Sequence, residues 1–222
     1  MTYTGITIGG IDTYTAWGLI LCADLQIGKA PLKTRRIDLP GADGTLDLTY
    51  ALTDGVPVFG DRPITFTLAA PGVSAEALEN IRVQLATHCH GRVMSLHTPL
   101  DDAYHYRGVF DVAGISGYQS RVIPISVQAE PYMFKNDITE VVTVIPQGGN
   151  IDVVFHNDMR IVTPTFRADA QVLITQGINT YALSADADTR FPKLKFSAGE
   201  NPLNFSGDEG TIVTATYQEA RL

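Results

Sequence analysis

IPISVQAEPYMF, Ile123 to Phe134, is the stretch that decides the fold. Ile123, Ile125, Val127 and Ala129 alternate with Pro124, Ser126 and Gln128. A period of two is a strand with one face on a core and the other in water. Pro124 removes a ladder donor, which predicts an edge strand or a bulge. Pro131 and Tyr132 then end the pattern, and the polar, aperiodic MFKNDITE follows. A domain boundary is expected near Asn136, giving residues 1–136 and 137–222.

Working outward, the same texture covers most of the chain. Upstream, the expected strands are Tyr14–Ala23, Thr45–Tyr50, Pro63–Ala70, Arg92–His97, Tyr104–Ala113 and Arg121–Ala129. Downstream they are Val141–Ile145, Ile151–His156, Thr165–Thr175, Thr180–Leu183, Lys193–Phe196 and Thr211–Tyr217. QGGN (147–150), QGIN (176–179), AGENP (198–202) and SGDEG (206–210) read as turns between them. The fold class is mainly β: two sandwich-like domains, with one helix packed on the first.

That helix is SAEALENIRVQLATHCHG, Ser74 to Gly91. Ser74 caps it and Glu76 lies in its first turn. Leu78, Ile81 and Leu85 form one apolar face, and Gly91 ends it.

DLPGADGTLDLTYAL, Asp38 to Leu52, shapes the backbone and carries no reactive group. Pro40 fixes its own φ, while Gly41 and Gly44 permit φ > 0. Leu46 and Leu48 then face one way and Asp47 and Thr49 the other, predicting a strand anchored by its leucines.

Composition excludes several functions. In 222 residues, 45% are hydrophobic and 18% charged, which describes a globular chain. A net charge of −8 disfavours nucleic-acid binding through a basic face. Lys29, Lys33, Arg35 and Arg36 are the local exception, and a solvated basic loop explains them better than a phosphate site. Two cysteines, Cys22 and Cys89, do not make a disulfide scaffold, although one bridge between them stays open. No Sec signal peptide is expected in MTYTGITIGGID, and the apolar run Ala16–Ala23 is too short to span a bilayer.

Searches for catalytic chemistry fail individually. GISGY (114–118) puts Tyr118 where a nucleophile elbow needs Gly. His88, Cys89 and His90 are adjacent on a helix, so they diverge by about 100° each and do not make a metal site with His97 or His105. Asp186 and Asp188 begin like a calcium loop, but Arg190 and Phe191 spoil it. Asp101 and Asp102 read as a turn and not as paired acids. Asn204-Phe205-Ser206 is a formal sequon only. Tyr104, Tyr106 and Phe110 share one strand face, which serves as core or as a sugar platform. The single Trp17 sits in an apolar run and reads as core. No cofactor motif is present and no enzymatic activity is expected.

The order of these segments resembles the siphophage distal tail protein family. It is carried by YTAWGLIL, by DLPGADGTLDLTYAL followed by Arg62-Pro63 and ITFTL, and by a helix ending in His90-Gly91 before LDDAYHYRGVF, which contains Gly108. It is carried further by IPISVQAEPYMF and by the C-terminal KLKFSAGENPLNFSGDEGTIVTATYQEARL. The resemblance implies an N-terminal ring-forming domain and a C-terminal galectin-like sandwich. It also implies a homo-hexameric ring between the tail tube protein and the tail-tip hub, docking of receptor-binding proteins in some members, and DNA passing through the channel. The place implied is the virion tail, assembled in the host bacterial cytoplasm, with no membrane association. This chain is short after Asn136 and has no room for an inserted sugar-binding module. The rival expectation is a lectin-like, carbohydrate-binding module that adheres to the host surface.

Overall fold

The computed structural model describes residues 4–41, 43–51, 53, 55–114 and 121–222. Ala42 and Leu52 of the proline-glycine stretch, and Tyr118 of the failed elbow, lie outside them. The chain divides into two compact units, Met1–Met133 and Phe134–Leu222.

In the first unit the elements are β1 (Thr7–Ile8), β2 (Ile11–Asp12), α1 (Thr13–Trp17), β3 (Ile20–Leu21), β4 (Gln26–Ile27), β5 (Arg36–Asp38), β6 (Thr45–Asp47), β7 (Arg62–Ala69), α2 (Ala75–Cys89), β8 (Val93–His97), β9 (Tyr104–Val112) and β10 (Val122–Ala129). β11 (Met133–Lys135) lies at the boundary. The sheet runs β2-β1-β8-β9-β10-β7-β3, and β4 also pairs with β7. α2 packs on β9, and Leu78, Leu85 and Cys89 enter the core with Phe66, Tyr106 and Phe110. Ile81 is half-buried against that core. Ser74 Oγ accepts from the Ala77 amide at 3.2 Å, the cap expected of a serine there. Gly91 has φ +70°, and its amide donates to the Phe110 carbonyl at 2.8 Å, so the helix ends on the sheet it covers.

Three upstream expectations change. Tyr14–Ala23 is not one strand. Asp12 Oδ1 accepts from the Thr15 amide at 2.8 Å and starts α1, and Gly18 ends that helix at φ +66° before β3. A five-residue helix is too short to show a 3.6-residue period, so the β-branched and aromatic residues dominated the reading. The first domain therefore holds two helices. Pro124 does not mark an edge either, because β10 lies between β9 and β7. β9 pairs with β10 only from Ile125 onward, so Pro124 sits where β7 is the sole paired neighbour.

The second unit contains β12 (Thr139–Val144), β13 (Asn150–Asn157), β14 (Thr165–Ala168), β15 (Val172–Gln176), β16 (Asn179–Leu183), β17 (Thr189–Arg190), β18 (Gly199–Gly207), β19 (Ile212–Tyr217) and β20 (Ala220–Arg221). Two four-stranded antiparallel sheets, β12-β19-β14-β17 and β13-β18-β15-β16, enclose Phe155, Phe166, Phe196 and Phe205. Thr165–Thr175 was expected as one strand, but it is β14 in one sheet and β15 in the other. Asp169 sits at the crossing, where its carboxylate accepts from the Ile212 amide at 2.9 Å. AGENP is not a turn. It opens β18, whose residues 199–203 have only β13 beside them, so Pro202 costs no second ladder. Lys193–Phe196 is not a strand, although Leu194 and Phe196 are buried.

Candidate assembly surface

Residues 29–60 are inserted between β4 and β7, two strands that pair with each other. The insertion continues that pairing as a two-stranded arm. The Gly28 amide donates to the Pro63 carbonyl at 2.8 Å and the Gly60 amide to the Pro31 carbonyl at 2.7 Å. Leu32 bridges to Phe59, and the Lys33 amide donates to the Val58 carbonyl at 2.8 Å. Farther out, β5 and β6 pair Arg36 with Asp47, Ile37 with Leu46 and Asp38 with Thr45. Pro40, Gly41 and Gly44 form the outer turn, with φ +81° at Gly41 and +79° at Gly44. A Cβ at either glycine would meet nothing within 4 Å, so the requirement is the left-handed backbone and not space.

Every described residue from Pro31 to Asp47 is exposed. The alternation of Leu46 and Leu48 therefore does not anchor a core strand, which corrects the sequence expectation. Leu46 is 45% exposed and Leu48 half-buried. A two-stranded ribbon has no third layer to bury either face. Ile37, Leu39, Tyr50, Val56 and Val58 are exposed on the same arm. The basic run lies here too, with Arg36 Nε 3.3 Å from Asp47 Oδ2. The Thr49 side chain, and then its backbone amide, which donates to Asp47 Oδ1 at 2.8 Å, hold that carboxyl below its usual range.

The arm is tied down at its root. Arg62, 7% exposed, donates from Nη2 to the Pro131 carbonyl at 2.5 Å, and its guanidinium lies 5.5 Å from the Tyr106 ring centre. Tyr132 meets Phe59 edge-on at 6.2 Å. Arg62, Tyr106, Pro131 and Tyr132, distant in sequence, thus gather where the arm leaves the sheet. Gly108 pairs with Met94 and Ala129 inside that sheet. Tyr104 is half-buried, and Tyr106 and Phe110 are buried, so this face is core and presents no sugar platform.

The other candidates disperse. His88 Nε2 lies 3.1 Å from the Ile8 carbonyl, Cys89 Sγ donates to the Leu85 carbonyl at 3.2 Å, and His90 Nδ1 accepts from the Val112 amide at 3.1 Å. Burial pushes the Cys89 thiol up to about 11. Both cysteines are free. Among the described residues no three His, Cys, Asp or Glu side chains group as metal ligands. No described helix is long and apolar enough to cross a membrane. Asp101 accepts from the Ala103 amide at 2.9 Å, a local turn. Asp188 lies 4.0 Å from Arg167, apart from any loop of carboxylates. Asn204, of the sequon, lies in β18 and donates to Asp152 at 2.8 Å. Trp17 is in α1, where with Tyr14, Ile20, Pro71 and Val73 it lines an open cleft of about 700 Å³.

His97 and His105 stack at 5.0 Å between ring centres. Burial, then the neighbouring His105, lower the His97 pKa from 6.5. The unfolded chain therefore binds the proton more tightly than the folded one. Stability linked to His97 is full above about pH 6.5 and is lost as pH falls below it toward the folded value. Melting temperature measured from pH 7.5 to 5 should fall less in His97→Asn than in the wild type.

No protein-family profile matches the sequence, and no curated protein matches it. A solved structure does. The Dit protein (gp 19.1) of phage SPP1, described as a paradigm of the hub adsorption apparatus in phages infecting Gram-positive hosts, superposes with a TM-score of 0.65. Identity is 11%, over 98% of this chain and 99% of that one. The chain has the fold of a phage distal tail protein. Chains in two structures of the phage p2 baseplate in its activated conformation, with strontium and with calcium, give a TM-score of 0.44 at 9% identity. They cover 96% and 97% of this chain, and 97% and 98% of their own lengths.

Proposed function

We propose that this protein is a non-enzymatic structural component of a siphophage tail tip. Six copies close into a ring that joins the tail tube to the tip hub, with residues 1–136 forming the ring. Residues 137–222 are read as a galectin-like sandwich. The acidic balance suits a channel that passes DNA without holding it. The observation that carries the reading is the arm. A ribbon that displays Ile37, Leu39 and Leu46 to water in one chain is stabilised when a second chain covers it. An arm on one surface received by a different surface of the next copy is a heterologous contact, the kind that builds a ring when its rotation closes. The shared distal-tail fold, end to end, supports the same role.

The test is mass in solution. Light scattering on the wild type should give a mass that is a whole multiple of six 24.0 kDa chains. Gly44→Val, which forces a β-branched residue to φ > 0, and Leu46→Asp, which charges the arm, should both lose the sixfold assembly. Both should melt within a few degrees of the wild type, because the outer arm packs on no core. A monomeric wild type, or variants that assemble as it does, overturns the reading.

A further inference from the structure

The second unit has an unguarded strand edge. β12 pairs through six consecutive residues with β19, Thr139 opposite Tyr217 to Val144 opposite Ile212, and with no other strand among the described residues. The register has no slip, so no bulge turns this edge away. Residues 138–145, ITEVVTVI, contain no Pro, Gly, Lys or Arg. Those are the devices that normally keep an edge from pairing. Along the outer face Val142 is 57% and Val144 52% exposed, and Ile212, opposite Val144 on β19, adds to the same strip. The other long edge, β13, instead carries Asp152 and His156 outward.

We propose that β12 is a self-pairing edge, through which two copies join antiparallel into one continuous eight-stranded sheet. The occupant is a second copy because β12 itself meets every requirement of an incoming strand. It is extended, β-branched and uncharged except at Glu140. Register follows from the pleat. Residues opposite each other across an antiparallel pair must point to the same face, so the two-fold axis passes through a residue and not between two. With the axis at Thr143, Val142 of each copy faces Val144 of the other. Glu140 then has no like charge opposite it, whereas an axis at Glu140 would set two carboxylates face to face. The contact is isologous, so each copy's edge takes one partner and is then filled.

The experiment is light scattering on the full chain over a concentration series, with Val142→Lys and Val144→Lys beside the wild type. The wild-type mass should reach at least twice the plateau of both variants. Each variant should keep the wild-type melting temperature, since the substituted side chain is solvent-facing. If only one variant folds, it alone decides. Coincident mass curves for wild type and a folded variant overturn the proposal, as does a wild-type mass that never doubles. Leu46→Asp separates this from the ring: it removes the factor of six and leaves the factor of two. Failure of ring assembly and failure of edge pairing are therefore read from different ratios.

Discussion

Gly108→Val should lower the melting temperature by on the order of 10 °C, the largest effect of any single substitution considered. Gly108 lies on the core face of β9, with Tyr106, Phe110 and Val112. A Cβ built there would stand 2.5 Å from the Gln128 carbonyl oxygen, 2.6 Å from Ala129 Cα and 2.9 Å from the Ala129 amide nitrogen. All three are backbone atoms of β10, and no side chain can swing aside. The sheet must open between β9 and β10, where α2 also packs. Overpacking of this kind costs about 3 kcal/mol, and more when the backbone cannot move. For a chain of this length each kcal/mol moves the midpoint by about 2–4 °C. Gly108→Ala should lose most of the same amount, since the first carbon makes the clash. Differential scanning calorimetry checks both, and midpoints within 2 °C of the wild type would refute the close-approach argument.

Glu219→Ala should unlatch the start of the second unit. Glu219 is 6% exposed, and its Oε1 accepts from Lys135 Nζ at 2.7 Å and from Thr139 Oγ1 at 2.5 Å. Its backbone carbonyl accepts from the Lys135 amide at 3.0 Å, and Gln218 Nε2 donates to the Lys135 carbonyl at 2.9 Å. The segment entering the sandwich is thus stapled to the segment leaving it. Removing one member of a buried pair costs several kcal/mol when the other is stranded. Lys135 is 36% exposed at its side chain and can reach water, so the expected loss is smaller, about 2 kcal/mol. Glu219→Gln keeps the shape and an acceptor for Thr139, and should lose about half as much. Hydrogen exchange should localise the change to residues 135–144 and 212–221. Uniform exchange across both units would refute the latch.

The elements legible in the sequence are those whose signal is local. β10 shows in the alternation from Ile123 to Ala129. α2 shows in Leu78, Ile81 and Leu85 and in its serine and glycine ends. The arm's outer turn shows in Pro40, Gly41 and Gly44, because φ > 0 is a property of single residues. α1 was missed because one turn of helix has no period, and β18 because a proline and a glycine inside a strand look like a turn until its neighbours are known. The candidate site was half legible. Its turn residues were found, but its leucines were assigned to a core that no second layer supplies.

The sequence by itself determined that this is a β-rich chain with one long amphipathic helix and tight glycine turns. The tertiary structure alone decided where each strand goes. It split Thr165–Thr175 between two sheets, placed Pro124 in an inner strand, and carried Arg62 to Pro131 and Glu219 to Lys135. It left the leucines of the arm in water and β12 with one free edge. Periodicity and capping depend on residues within a turn or two of each other and can be read along the chain. Which face finds a covering layer, and which edge finds a neighbour, depend on pairings between residues tens of positions apart, and these exist only once the chain has folded.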